Sequence, residues 1–176
     1  MKRTMIILWT LLAGAAMLSS CSKDTPVQYA MTNQVFVTNA ASSFNFQIQA
    51  GMLAQTTGVN DSVKSYGGEM VKDNTAAYTL LKALATSKGL IISTTLQASD
   101  QTNLAALQAK TGAAFDQLYA QTMILTHTQE LNFFQVGAQA TGVEDADLRT
   151  LAYNQVPLLE VRLQAAYALQ TLVSSE

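Results

Sequence analysis

Between Val63 and Leu84 the chain places Val63, Gly67, Met70, Asn74, Ala77, Leu81 and Leu84 at alternating steps of four and three. That spacing returns to one side of an α-helix, so it predicts an amphipathic helix with a narrow apolar stripe and one amide, Asn74, inside it. Asn60, Asp61 and Ser62 just before it are capping candidates. Three further segments read the same way. From about Thr32 to Thr57, Val37, Ala41, Phe44, Ile48 and Gly51 share a face, with Gly58 placed to stop the helix. From Ala113 to about Ala140 the stripe is Ala120, Ile124, His127, Leu131, Phe134 and Ala138, which turns His127 inward. The last segment starts near Glu144 and Asp145, acidic residues suited to a helix N-terminus, and runs towards Leu172. Its aligned face is Leu151, Asn154, Leu158, Val161, Ala165, Ala168 and Leu172, and Pro157 is expected to kink or restart it.

The stretch Ser87–Ser99 holds Gly89-Leu90-Ile91-Ile92, a run that resembles a strand, but a single short apolar run cannot build a sheet, so it reads as an inter-helix connection. Asp100 to Lys110 reads as a short helix closed by Gly112. The expected fold is therefore all-α: an up-down four-helix bundle with short connections, an extra short helix and a Pro-kinked last helix. Gly51 and Gly67 either let two helix backbones approach closely or face solvent; the pattern leaves both readings open.

The first twenty residues follow another logic. Lys2 and Arg3 precede an uncharged apolar run from Met5 to Leu18, then Ser19 and Ser20, then Cys21. This is a signal peptide. The run is shorter than the roughly 18–20 apolar residues that a spanning helix needs. Leu18-Ser19-Ser20-Cys21 resembles the lipobox of bacterial lipoproteins, which implies cleavage before Cys21 and lipid on its sulfur. Residues 1–20 are then leader, 21–31 the lipidated Cys and a polar tether containing Pro26, and 32–176 the bundle. Ser22 does not look like an inner-membrane retention signal, so the expected location is the cell envelope, on the outer membrane rather than the inner. Cys21 is the only cysteine, so no intramolecular disulfide and no cysteine zinc site can form.

Charge narrows the partners. Residues 1–20 carry two of the ten Lys and Arg and none of the twelve Asp and Glu, so the mature chain has a net charge of −4. Nucleic acid is not an expected partner. The membrane, through lipid on Cys21, is one; a protein or small-molecule partner is unidentified.

Several phrases in order carry a family resemblance: Phe36-x-x-x-Ala40-Ala41, Gly51-x-Leu53-Ala54, Val63-Lys64-x-Tyr66, Met70-Val71-x-Asp73, Phe115-Asp116-x-x-Tyr119, His127 and Pro157-Leu158-Leu159. Together, over roughly residues 32–172, they resemble domain of unknown function 4142, a group of exported bacterial proteins. The resemblance implies a ferritin-like helical bundle and supplies no activity. Members of that family often carry Glu where this chain has Gln47, His where it has Asn74, and His where it has Val161. The stripes above place Asn74, His127 and Val161 inward, with Gln47 beside one, so a metal or proton site built there by relatives would be mostly lost here.

The candidate chemistry is thin. His127 and Glu130, three apart on one helix, could bind a divalent metal ion jointly or act as a base and its orienting partner. Asp73 is a third candidate ligand, with Gln47 and Asn74 as polar interior helpers. Ferritin-like di-iron sites use Glu-x-x-His on two helices, whereas this chain has a single His-x-x-Glu. The competing account is a core histidine hydrogen-bonded to Asn74, Gln47 or a tyrosine. Asp73, Glu69, Asp116, Glu130 and Glu160 could form a paired-carboxylate site, but carboxylates at helical spacing usually face solvent. Tyr66, Tyr78, Tyr119, Phe133, Phe134, Tyr153 and Tyr167 could line a pocket or simply pack the core. Neither a Gly-x-Ser-x-Gly turn nor a phosphate loop is present. The expectation is a non-enzymatic, lipid-anchored binding or structural module without a cofactor, the alternative a ferritin-like metal-binding protein using His127 and Glu130.

Overall fold

The structure, a computed structural model, describes residues 26–174; the leader, the lipobox and Cys21 lie outside the described residues. Five helices follow in order: α1 Asn33–Thr57, α2 Asp61–Ser87, α3 Ala98–Gln108, α4 Gly112–Ala138 and α5 Ala146–Val173. The described residues form an all-α bundle, as the pattern predicts.

Local chemistry sets the helix starts. Thr32 accepts from Val35 N–H, Asn60 from Ser62 N–H, and Asp145 from the N–H groups of Asp147 and Leu148. Each cap satisfies donors that a helix N-terminus leaves unpaired. α5 runs continuously through Pro157, which sits on its exposed side. The proline removes one backbone hydrogen bond, on the side of the helix that faces away from the core.

Contacts at the bundle ends fix the helix directions. One end gathers the start of α1, the end of α2 and the α4–α5 turn. There Gln34 bonds both the N–H and the C=O of Ile91, Lys88 pairs with Asp145 at 2.8 Å and Asp147 at 2.7 Å, and Asp145 N–H donates to Asn33. The tether joins this end, with Ala30 N–H on Thr141 C=O and Met31 N–H on Gly142 C=O. The other end gathers the α1–α2 turn, the start of α4 and the end of α5: Val59 and Asn60 N–H donate to Asp116, and Gln117 bonds Val173 C=O. The four long helices therefore run up, down, down and up. The connection from α2 to α4 is not a short turn but a crossover along the bundle, from Leu90 and Ile92 in one half of the core to Leu96 and Leu107 in the other, with α3 inside it.

The core is divided. One half packs Phe36, Phe44, Leu81, Phe134, Leu148 and Leu159; the other packs Phe46, Met70, Leu107, Phe115, Met123 and Leu169. Each such side chain, fully buried, contributes roughly 1.5–3 kcal/mol. α1 and α2 touch backbone to backbone at Gly51 and Gly67. A Cβ on Gly51 would lie 2.6 Å from Gly67 O, and one on Gly67 would lie 2.7 Å from Gly51 O. Close approach is thus the reading the structure selects for both glycines.

One stripe is corrected. On α5 the buried residues are Leu148, Leu151, Ala152, Gln155, Leu159, Arg162, Ala166, Leu169 and Val173. Beyond Leu151 this is the expected face moved by one residue, about 100° around the helix. Val161, expected inward, is 69% exposed. The apolar pattern misled because the true inner face carries two polar side chains, Gln155 and Arg162.

Candidate functional site

Between the two halves of the core lies a polar layer drawn from all four long helices. α1 supplies Ser43 and Gln47, α2 supplies Tyr66 and Asn74, α4 supplies His127 and Glu130, and α5 supplies Arg162. Gln47, Asn74 and His127 are fully buried, and Tyr66, Glu130 and Arg162 nearly so. Apart from Ser43, half-buried at the edge of the layer, each is turned into the bundle, so the fold converges polar groups where the buried faces are interrupted.

Glu130 is the hub. Its Oε2 lies 3.1 Å from His127 Nδ1 and also accepts from Gln47 Nε2, while Oε1 accepts from Ser43 Oγ. A carboxylate can only accept, so Nδ1 carries a hydrogen, and Nε2 lies 2.7 Å from Tyr66 OH. Asn74 Nδ2 donates to Gln47 Oε1 at 3.4 Å and to Met70 C=O at 2.8 Å. Burial alone would raise the Glu130 pKa; the bond and charge of His127, with the bonds from Ser43 and Gln47, outweigh it and hold the carboxyl below its usual range. Burial pushes the Tyr66 and Tyr119 hydroxyls above theirs.

The structure brings together His127, Glu130 and Gln47, with Asn74 behind. It does not bring Asp73 to them: Asp73 is half-exposed and faces Arg162 Nη2 at 3.4 Å. Among the described residues, no three His, Cys, Asp or Glu side chains are arranged to hold a metal ion. Both nitrogens of His127 and both oxygens of Glu130 are already engaged, so these residues do not fit the multi-carboxylate centre of a ferritin-like bundle.

A family model described as "Domain of unknown function (DUF4142)" matches residues 19–169. The chain belongs to the DUF4142 family. No curated protein and no solved structure matches it. Of the phrases that carry the resemblance, those on α1, α2 and α4 map onto the packing that builds the polar layer. Gly51 lies at the α1–α2 approach, Tyr66 and His127 in the layer, and Phe115 stacked on Tyr119 below it. Asp116 is buried and accepts from Val59 and Asn60 N–H, a structural carboxylate tying the α1–α2 turn to α4. Of the three positions where this DUF4142 chain departs from the expected pattern, Gln47 and Asn74 lie in the layer and Val161 faces outward.

Glu130 also reaches the surface. A cleft of about 370 Å³ opens between α1, α4 and the start of α3, lined by Asn39, Ser43, Asp100, Gln129, Glu130 and Phe133 among others. Ser42 holds its rim, donating to Asp100 while accepting from Gln97 N–H at 2.7 Å. Burial raises the Asp100 pKa; the Ser42 bond lowers it and the charge of Glu130 raises it further, leaving it above the carboxylate range. The sequence pattern missed Ser42, Ser43, Asp100, Gln155 and Arg162. For Gln155 and Arg162 a signal was available, the unbroken stripe of Leu148, Ala152, Leu159, Ala166 and Val173 on which both fall. Of the seven aromatics, Tyr66, Tyr119 and Phe134 are core, Tyr78 is half-buried against it, Phe133 borders the cleft, and Tyr153 and Tyr167 are exposed.

Proposed function

We propose that this chain is a lipid-anchored, non-enzymatic binding module of the bacterial cell envelope, whose cleft between α1, α3 and α4 takes a small organic ammonium ion. The observation that carries the ligand class is the meeting of two carboxylates, Glu130 and Asp100, on one open cleft with an aromatic wall at Phe133. Burial, and to a smaller degree the charge of Glu130, raises the proton affinity of Asp100. A cation between the two carboxylates replaces their repulsion with attraction, and an aromatic face adds a cation–π contribution of about 0.5–2 kcal/mol. The polar layer beneath supports a positioning role for His127: its bonds are spent holding Glu130 in one orientation.

Anchoring rests on Lys2, Arg3, the apolar run and the Leu18-Ser19-Ser20-Cys21 lipobox. Lipid there would place the α4–α5 end of the bundle towards the membrane, since the tether joins that end; Ser22 favours the outer membrane. The single long crossover is the connection ferritin-like bundles use, which supports that ancestry. The catalytic metal set does not follow from it.

The test is calorimetric titration of the Cys21→Ser chain with choline and putrescine, with glucose as neutral control. Amine binding weakened at least tenfold by Asp100→Asn is the expected result. Equal heats for glucose and the amines, or amine binding untouched by Asp100→Asn, would refute it. Turnover of any substrate lost in His127→Ala would overturn the non-enzymatic reading. Retention of the wild-type chain, but not of Cys21→Ser, in the membrane fraction tests the anchor. Elemental analysis after incubation with Fe, Zn, Cu and Mn salts tests the metal alternative, which stoichiometric metal lost in His127→Ala would establish.

A further inference from the structure

Arg162 is the one strongly basic side chain turned into this bundle's interior face of α5, and its charge is incompletely answered. The residue is 6% exposed. Its Nη2 lies 3.4 Å from Asp73 Oδ2, longer than a good charge-assisted hydrogen bond, and its Nη1 finds no hydrogen-bond partner among the described residues. The Oε1 of Gln155, two turns back along α5, has none either. Unmade hydrogen bonds on a buried guanidinium are costly, so a native protein rarely leaves one without a reason.

Both residues border the seam between α2 and α5. A recess of about 230 Å³ is lined by Asp73, Ala76, Leu80, Gln155, Leu158 and Arg162. It adjoins a second of about 370 Å³ lined by Leu80, Leu84, Thr150, Leu151 and Gln155, with Leu80 and Gln155 common to both. From Arg162 to Leu151 the seam follows eleven helical residues, roughly 16 Å at 1.5 Å each. One end carries Arg162; the other is walled by Leu80, Leu84 and Leu151, with Asp147, paired to Lys88, at its far rim, and Leu80 is 61% exposed.

We propose that this seam binds a free single-chain carboxylate, its head group on Arg162 and its hydrocarbon chain along Leu80, Leu84 and Leu151. A carboxylate matches a guanidinium in two parallel hydrogen bonds, and no neutral head group does. Asp73 is the internal stand-in for that head group. It is half-exposed and held by one long contact, so it swings into water when the ligand's carboxylate arrives, and the guanidinium turns to present both Nη atoms. Laying the hydrocarbon chain against the leucines takes apolar surface out of water, which favours binding. The site is separate from the α1/α3/α4 cleft and does not depend on the ammonium reading.

The experiment titrates the Cys21→Ser chain calorimetrically with dodecanoate below its micelle concentration, with dodecanol as the neutral analogue. Saturable dodecanoate binding, one per chain, is expected, at least tenfold tighter than dodecanol. Arg162→Gln should remove that preference, Arg162→Lys should keep part of it, and Asp73→Asn should tighten dodecanoate several-fold by removing the competitor. A thermal melt of each variant shows that the chain being titrated is folded. Equal binding of acid and alcohol, no saturable binding, or an Asp73→Asn chain that binds dodecanoate no better than its parent would overturn the proposal.

Discussion

Removing Glu130 should be among the most damaging single truncations in this molecule, although the residue carries no apolar bulk for the core. Glu130→Ala leaves His127 Nδ1–H, Gln47 Nε2 and Ser43 Oγ without their common acceptor, the first two fully buried. Breaking a buried, hydrogen-bonded pair by deleting one partner costs about 3–5 kcal/mol. For a domain of this size each kcal/mol lowers Tm by about 2–4 °C, so the melt should fall by roughly 6–20 °C. His127→Ala should cost less, because Ser43 and Gln47 still satisfy Glu130 and Tyr66 OH still reaches Arg162 C=O at 3.3 Å. Urea unfolding of the wild type, the two single variants and the double variant gives the cycle, with an expected coupling of about 1–3 kcal/mol. Glu130→Ala costing under about 1 kcal/mol, or single effects that simply add, would show that the polar layer is not held through Glu130.

Four further outcomes follow from the same geometry. Gly67→Ala puts a Cβ 2.7 Å from Gly51 O and 2.8 Å from Ala54 Cβ, and the forced separation of α1 from α2 should cost about 1–3 kcal/mol despite the better helix propensity of alanine, read as a lower urea midpoint. Asp116→Ala takes the carboxylate acceptor from the part-buried N–H groups of Val59 and Asn60 and should cost about 1–3 kcal/mol, with amide exchange rising first in the α1–α2 turn. Tyr119→Phe removes a buried hydroxyl that has no partner among the described residues, so the melt should stay level or rise; a clear fall would reveal a bond to that oxygen. The folded Glu130 carboxyl has a lowered pKa, so its stabilisation is complete above the unfolded value near 4.3 and is lost as pH falls through the folded value below it. Asp100, raised chiefly by burial and further by the charge of Glu130, acts oppositely: its unfavourable contribution grows as pH rises through the unfolded value to the folded one. Urea midpoints measured from pH 6 down to pH 3 should therefore fall at the acid end, and Glu130→Gln should flatten that fall.

Much of the bundle was legible because helix burial is periodic. The stripe from Val63 to Leu81 is buried as read, the caps Asn60 and Asp145 were among the residues read at the helix starts, and His127 was correctly turned inward. The α5 face was misread because apolarity was taken as the mark of burial, and Arg162 breaks that rule. A buried arginine looks like a surface arginine until Asp73 is seen beside it. The crossover was also hidden: residues 88–111 contain a short helix and loops, and nothing in their pattern states which end of the bundle they must reach.

By itself, then, the sequence determined the helices, their approximate limits, three of the four inner faces and the kinds of residue available for chemistry. All of these follow from spacing along one chain, which a helix converts into faces without outside help. The tertiary structure decided what meets across helices. It placed Ser43 and Gln47 on Glu130, Tyr66 on His127, Arg162 beside Asp73, and Gly51 against Gly67. These contacts join residues tens of positions apart, and their geometry depends on helix rotation and separation, which local spacing does not encode. A shift of one residue, as on α5, moves a side chain about 100° and exchanges core for solvent.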